Sequence, residues 1–299
     1  MNRSATSTPK FWPFAILAYA AALAVGTLSA NPLVNYAHDQ AASYASDAAH
    51  QTTAATSLLE LQTAQVLDPG NASYRQQLAD RYVSQGDLNQ AVSVLGSTGG
   101  ERVRKASLLV RLGKADAAIT AVQGVTGTDA AVVRSQAYLE EGRGASAQSA
   151  VQDLTSDNAL VQLALVMAVN DKTSDVVELI PQADSATTKQ RLRRIQSGGV
   201  ALAQELYASG LYQTAERVLV LTPDSSAKSG LLAHVWLSKQ PVTHQNLLAA
   251  QTVATRGLEL DPANLPLHSL LQDIDSQLGD QTGATHQQQL INQLQSGKI

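Results

Sequence analysis

One short pattern recurs along the chain: a glycine, a small residue five positions later, then apolar residues three and four positions beyond. It reads Gly86, Ala91, Val94, Leu95, and again Gly113, Ala118, Ala121, Val122. Gly142, Ala147, Ala150, Val151 and Gly210, Ala215, Val218, Leu219 repeat it. Asp171, Val176, Leu179, Ile180 carries it without the glycine, and Ala250, Val253, Ala254 keeps only the apolar part. A glycine takes the left-handed conformation that ends a helix at little cost. A helix restarting within a few residues must turn back and pack antiparallel to the first. The small residue on its first turn lets the two approach, and the apolar pair continues the buried stripe. The pattern predicts a succession of antiparallel helix hairpins.

The flanking residues agree. Tyr74, Leu78 and Tyr82 lie four apart with Ala79 beside them, ahead of Gly86; Leu202, Ala203 and Leu206 precede Gly210 in the same way. Leu67-Asp68-Pro69 and Leu260-Asp261-Pro262 are stop signals, because proline cannot continue a helix and disfavours one at the residue before it. Hydrophobic residues make up 44% of the chain but aromatic ones only 4%, and both phenylalanines, Phe11 and Phe14, sit near the start. A sandwich or barrel draws on aromatic and β-branched strands. The expected class is all-α.

Leu78 to Leu95, LADRYVSQGDLNQAVSVL, resembles the core of the tetratricopeptide repeat family: Leu78, Ala79, Tyr82, Gly86, Ala91 and Leu95 match its signature spacing. Glu205 to Leu219 is a second match, and LELDPANLP, Leu258 to Pro266, is similar to the family's exit from one repeat into the next. The resemblance implies an α-solenoid of antiparallel hairpins over residues 54–299 whose groove holds a peptide or helix of another protein. Gly86 to Gly113 and Gly113 to Gly142 are shorter steps than the family period of roughly 34 residues. Asp157 to Ser197 is the least regular stretch, with a possible subdivision at Pro181–Thr188 or Ser197–Gly199. His286 to Leu294 reads as a terminal cap, apolar on one side through Leu290, Ile291 and Leu294 and glutamine-rich elsewhere.

Ahead of the repeats, Phe11 to Ala30 carries no charge. Its length at the helical rise spans roughly 30 Å, the hydrocarbon thickness of a bilayer. Arg3 and Lys10 precede it, and no further Lys or Arg occurs before Arg75. The positive-inside rule then places residues 1–10 in the cytoplasm and the repeats outside. Length favours a retained single-pass anchor; a cleaved signal ending near Ser29 or Ala30 is the alternative. Residues 31–53, rich in alanine, read as a membrane-proximal helix or spacer.

Chemistry-bearing motifs are sparse. Six histidines are scattered, without an i, i+4 pair or HExxH, so no metal or other cofactor is expected. Cysteine is absent, which excludes disulfides and thiol nucleophiles. Gly96-Ser97-Thr98-Gly99-Gly100 reads as a turn between hairpins, since Glu101 and Arg102 stand where a phosphate-binding loop needs Lys and Ser or Thr. Glu140 and Glu141 are adjacent on a helix and point apart, which suits no paired-carboxylate site. A net charge of −4 gives no support for nucleic-acid binding. Two basic clusters remain: Arg102, Arg104, Lys105, Arg111 and Lys114, and then Lys189, Arg191, Arg193 and Arg194. Arg104, Arg111, Arg191 and Arg194 are the candidate partner contacts, against the alternative of a solvated face. The expectation is a non-enzymatic, membrane-tethered scaffold, and the family resemblance implies a role in envelope, secretion or appendage assembly. The alternatives are a cell-wall-acting enzyme with a helical superhelix, for which Glu178 is an isolated acid, and a self-associating subunit forming a homo-oligomer.

Overall fold

A computed structural model describes residues 32–50 and 54–297, and among them every regular element is a helix. The chain divides into two compact units, Met1–Glu101 and Arg102–Ile299. The expected cytoplasmic segment and anchor, residues 1–30, lie outside the described residues. Among the described ones, no helix is long and apolar enough to cross a membrane.

In the first unit α1 (Pro32–His50) pairs with α2 (Ala54–Leu67), and α3 (Ala72–Ser84) with α4 (Leu88–Val94). Ala41, Ala45 and Ala48 form a stripe on α1 that packs on Leu61 and Ala64 of α2 and on Leu78 of α3. Alanine at this spacing lets the helices meet closely enough for the Ser57 hydroxyl to donate to the Ala48 carbonyl at 2.9 Å. The stretch expected to be a helix or spacer is thus, over residues 32–50, one arm of the first hairpin. Asn71 caps α3 by accepting from the Ser73 N–H at 3.0 Å. At the other end Gly86 has φ +80°, its N–H donates to Val83 O, and the Asp87 N–H reaches back to Tyr82 O at 2.9 Å. This pair of hydrogen bonds satisfies carbonyls that the helix end leaves open. Leu78, Ala79 and Ala91 are buried around the turn, and the Tyr82 hydroxyl accepts from Gln62 Nε2 at 2.8 Å.

The second unit follows the same rule. Its hairpins are α5 (Gly99–Arg111, entered from the first unit) with α6 (Ala115–Ala121), α7 (Thr128–Glu140) with α8 (Gly144–Val151), and α11 (Gly199–Ala208) with α12 (Tyr212–Leu221). After them come α13 (Ser226–Ser238), α14 (His244–Leu260), α15 (Leu265–Leu278) and α16 (Gln281–Gln295). The turn found at Gly86 recurs at Gly113, Gly142 and Gly210, where Lys114, Arg143 and Leu211 donate back to Leu109, Tyr138 and Leu206 at 2.8–2.9 Å. Ala118, Ala147 and Ala215, five residues on, are completely buried. Asp171 adopts φ +60°, and Lys172 closes the same bond to Met167 O, so the glycine-free copy of the pattern builds the same turn. A further copy at Gly279 buries Ala284 but places Gln287 and Gln288 at the apolar positions, and α16 is the last described helix.

The irregular middle has a distinct architecture. It consists of α9 (Asp157–Val169), a 3-10 helix (Thr173–Gln182) and α10 (Ala186–Ser197). Pro181 within the 3-10 segment lacks the N–H an α-helix needs. Every residue from Ala159 to Val166 is buried. The helix is apolar all round, and such a helix is stable only when covered on every side. Here α7, α8, the 3-10 helix, α10 and α11 cover it. In this stretch the interior is filled by the chain's own helix rather than left as an open groove.

Candidate functional site

Helices α7 and α12, far apart in sequence, cap each other. The N-terminus of α12 has no cap from its own sequence, because Leu211 stands at the N-cap position. The carboxylate of Glu140, the last residue of α7, supplies it: its two oxygens accept from the N–H groups of Gln213 and Thr214 at 3.1 Å each. In return the Arg217 guanidinium of α12 donates to the carbonyls of Leu139 (2.7 Å) and Glu140 (3.0 Å) at the end of α7. The Thr214 hydroxyl adds a bond to Leu139 O at 3.2 Å. An anion thus sits at a helix N-terminus and a cation at a C-terminus, as the helix dipoles favour. Burial pushes the Glu140 carboxyl above its ordinary range, opposed by the Thr214 and Gln213 donors and by Arg217.

Beside this clasp lies a cavity of about 480 Å³. Arg111, Leu112 and Gly113 at the end of α5 form one wall, and Glu140 with Tyr212, Gln213, Glu216 and Arg217 forms a second. Lys239 and Gln240, just after α13, complete it. Two glycines make the approach possible. A Cβ on Gly210 would fall 2.6 Å from Arg111 Cγ, and one on Gly113 would fall 2.8 Å from Gln213 Nε2. The stem of Arg111 therefore lies along the Gly210 backbone. Both carboxylates of the cavity are committed: Glu140 to the amides of α12, and Glu216 to Lys239 Nζ at 2.7 Å, which also sits over the Trp236 ring. By contrast, the Arg111 guanidinium has no hydrogen bond or ion pair among the described residues, and the same holds for the Tyr212 hydroxyl and the side-chain amides of Gln213 and Gln240.

The other candidate contacts are placed differently. Arg191 and Arg194 converge on one buried carboxylate, Glu205, at 2.8 and 2.7 Å. Arg104 and Lys114 are half-buried and exposed respectively, and neither is free. Arg102 donates to the carbonyls of Ala121 (2.8 Å) and Gln123 (2.5 Å) after α6. Of the arginines singled out in the sequence, the structure brings Arg111 alone to the cavity. Sequence reasoning missed Tyr212, Gln213, Lys239 and Gln240, whose only signal was nearness to the Gly210 turn or to a helix end. Glu178 lies on the 3-10 helix with its side chain exposed.

The glycine-rich turn before α5 is filled by its own carboxylate. Thr98 and Glu101 form a reciprocal capping box: Glu101 Oε2 accepts from the Thr98 N–H and hydroxyl, and Thr98 Oγ1 accepts from the Glu101 N–H. Arg75 grips both oxygens of the same carboxylate, at 2.6 and 3.1 Å, and the Gly96 N–H donates to it at 3.2 Å. The Arg75 bond and these further donors hold Glu101 at a pKa of about 2, against its burial. The donors an anion would need are already in use.

No protein-family model matches the sequence, and no curated protein does. Solved structures align with the chain only distantly. A tetratricopeptide repeat protein from Parabacteroides merdae is 13% identical with a TM-score of 0.46, over 80% of this chain and 99% of that one. The P58(IPK) TPR domain is 12% identical with a TM-score of 0.26, over 85% and 92%. The APC/C hetero-tetramer Cut9-Hcn1 is 12% identical with a TM-score of 0.34, over 93% of this chain and 68% of that one.

Proposed function

We propose that the chain is a non-enzymatic scaffold that holds a segment of another protein, carried on the outer face of the cytoplasmic membrane by residues 11–30. One observation supports the reading above others: the cavity beside the α7–α12 clasp has its acids committed and its recognition groups unpaired. A carboxylate tied to two backbone amides or to a lysine is poorly placed for general acid–base work, which needs a group free to give or take a proton in contact with substrate. Unpaired guanidinium, phenol and amide groups in a concave site are what polar recognition uses. With α9 buried on every side, the reading places the partner at this cavity.

The test is a photo-crosslinking amino acid placed at Gln240 in the full chain in its native membrane. The reading expects crosslinks to a defined second protein. Crosslinks only to further copies of this chain would favour the self-associating subunit, and release of wall fragments by the purified chain would favour the enzyme. Either result would remove the scaffold reading.

A further inference from the structure

The cavity's unpaired cation has a chemical counterpart, and resting on the scaffold reading, we infer that Arg111 anchors an acidic side chain of the bound protein segment. Arg111 is half-buried at the C-terminal end of α5, where its guanidinium has no partner among the described residues. A cation taken partly out of water without a counter-charge loses hydration that nothing repays until an anion arrives. The neighbouring acids do not fill that role. Glu140 is turned to the α12 amides and Glu216 to Lys239. Nor is Arg111 loosely held, because its stem runs along Gly210, where a Cβ would meet Cγ and Cδ at 2.6 and 3.3 Å. A guanidinium fixed in this way offers a planar pair of donors that fits a carboxylate bidentately, with less ordering cost than a mobile lysine.

The surroundings select the kind of anion. Tyr212, Gln213 and Gln240 line the same cavity and can each donate to or accept from a peptide's amide groups. A volume of about 480 Å³ takes a few residues, not a whole helix. Counting the lining charges, three cations (Arg111, Arg217, Lys239) face two committed acids (Glu140, Glu216), so an entering carboxylate completes the balance. The occupant that fits is a glutamate or aspartate on a short extended segment of a partner protein.

The test uses the full chain in neutral detergent and fluorescent twelve-residue peptides of alanine and glycine carrying three Glu, three Gln or three Lys. The Glu peptide is expected to bind and the other two not. Arg111→Ala should weaken it at least about tenfold, Arg111→Lys should recover part of the loss, and Arg193→Ala, an exposed arginine outside the cavity, should change nothing. Equal binding by wild type and Arg111→Ala overturns the inference, as does an equal loss with Arg193→Ala, which would mean diffuse charge attraction. Binding of phosphatidylglycerol vesicles that needs Arg111, without peptide binding, also overturns it in favour of a lipid headgroup. Repeating the Gln240 crosslinking on Arg111→Ala separates the two readings. Undiminished capture of the second protein would leave the scaffold standing and remove Arg111 as its anchor.

Discussion

Replacing Glu101 with glutamine should cost about 3 kcal/mol at neutral pH, and that cost should vanish in acid. The side chain has no exposed surface, and its carboxylate gathers Arg75, Gly96 and Thr98. Its pKa is held at about 2 against an ordinary 4.5. At about 1.4 kcal/mol for each tenfold change in proton affinity, that difference corresponds to about 3 kcal/mol. Breaking a buried ion pair by removing one partner gives a similar range, about 3–5 kcal/mol. Because the folded-state pKa is depressed, the stabilisation is complete above the unfolded value and fades as pH falls through about 2. Repeat units open separately, so the sharpest readout is hydrogen exchange at the Gly96 and Thr98 amides, joined to urea unfolding followed by circular dichroism. Wild type and Glu101→Gln should differ by the full amount at pH 6–7 and converge near pH 2. Arg75→Ala should lose as much, and the double variant little more than either single one. A difference that persists undiminished at pH 2 would mean that packing, rather than the ionised pair, is what Glu101 supplies.

Other substitutions probe the remaining devices. Glu140 has a raised pKa, so it behaves oppositely to Glu101: relative to Glu140→Gln, wild type should gain stability as pH falls from the raised value towards the ordinary carboxylate range, measured by thermal unfolding. Gly257→Ala, which in an exposed helix would stabilise, should here lose about 1–3 kcal/mol, since a Cβ would sit 2.7 Å from both Ser229 Cβ and Leu267 Cδ1; unchanged melting would show that α13 and α15 yield easily. Asp171→Gly should raise stability by up to about 1 kcal/mol by relieving the left-handed backbone, whereas Asp171→Val should lower it, both read by thermal unfolding.

The hairpins were legible because their signal is local. A glycine, a small residue and an apolar pair describe one turn and the helix after it, and Asp171 shows that the surrounding pattern was stronger evidence than the glycine itself. The Gly279 copy escaped because glutamines occupy its apolar positions. Residues 31–53 read as a helix or spacer outside the repeats because Ala41, Ala45 and Ala48 carry little hydrophobicity, yet close helix packing needs small side chains more than large ones. The candidate site was harder to read. Arg111 stood out as one of several basic residues, but nothing near it in the chain says that Gly210 will lie against its stem. Arg191 and Arg194 looked equally eligible until the next helix brought Glu205 to them. Turn chemistry reports on a dozen residues at a time, and contacts between distant hairpins have no comparable signature.

Arrays of small helical units ordinarily grow or shrink by whole copies, because each touches only the one before and the one after. Glu140 and Thr214 withdraw that freedom from the intervening stretch. Excising or duplicating a hairpin between them would separate an acid from the amides it serves and would uncover the apolar girth of α9. The number of helices between α7 and α12 is therefore set by the geometry of that clasp.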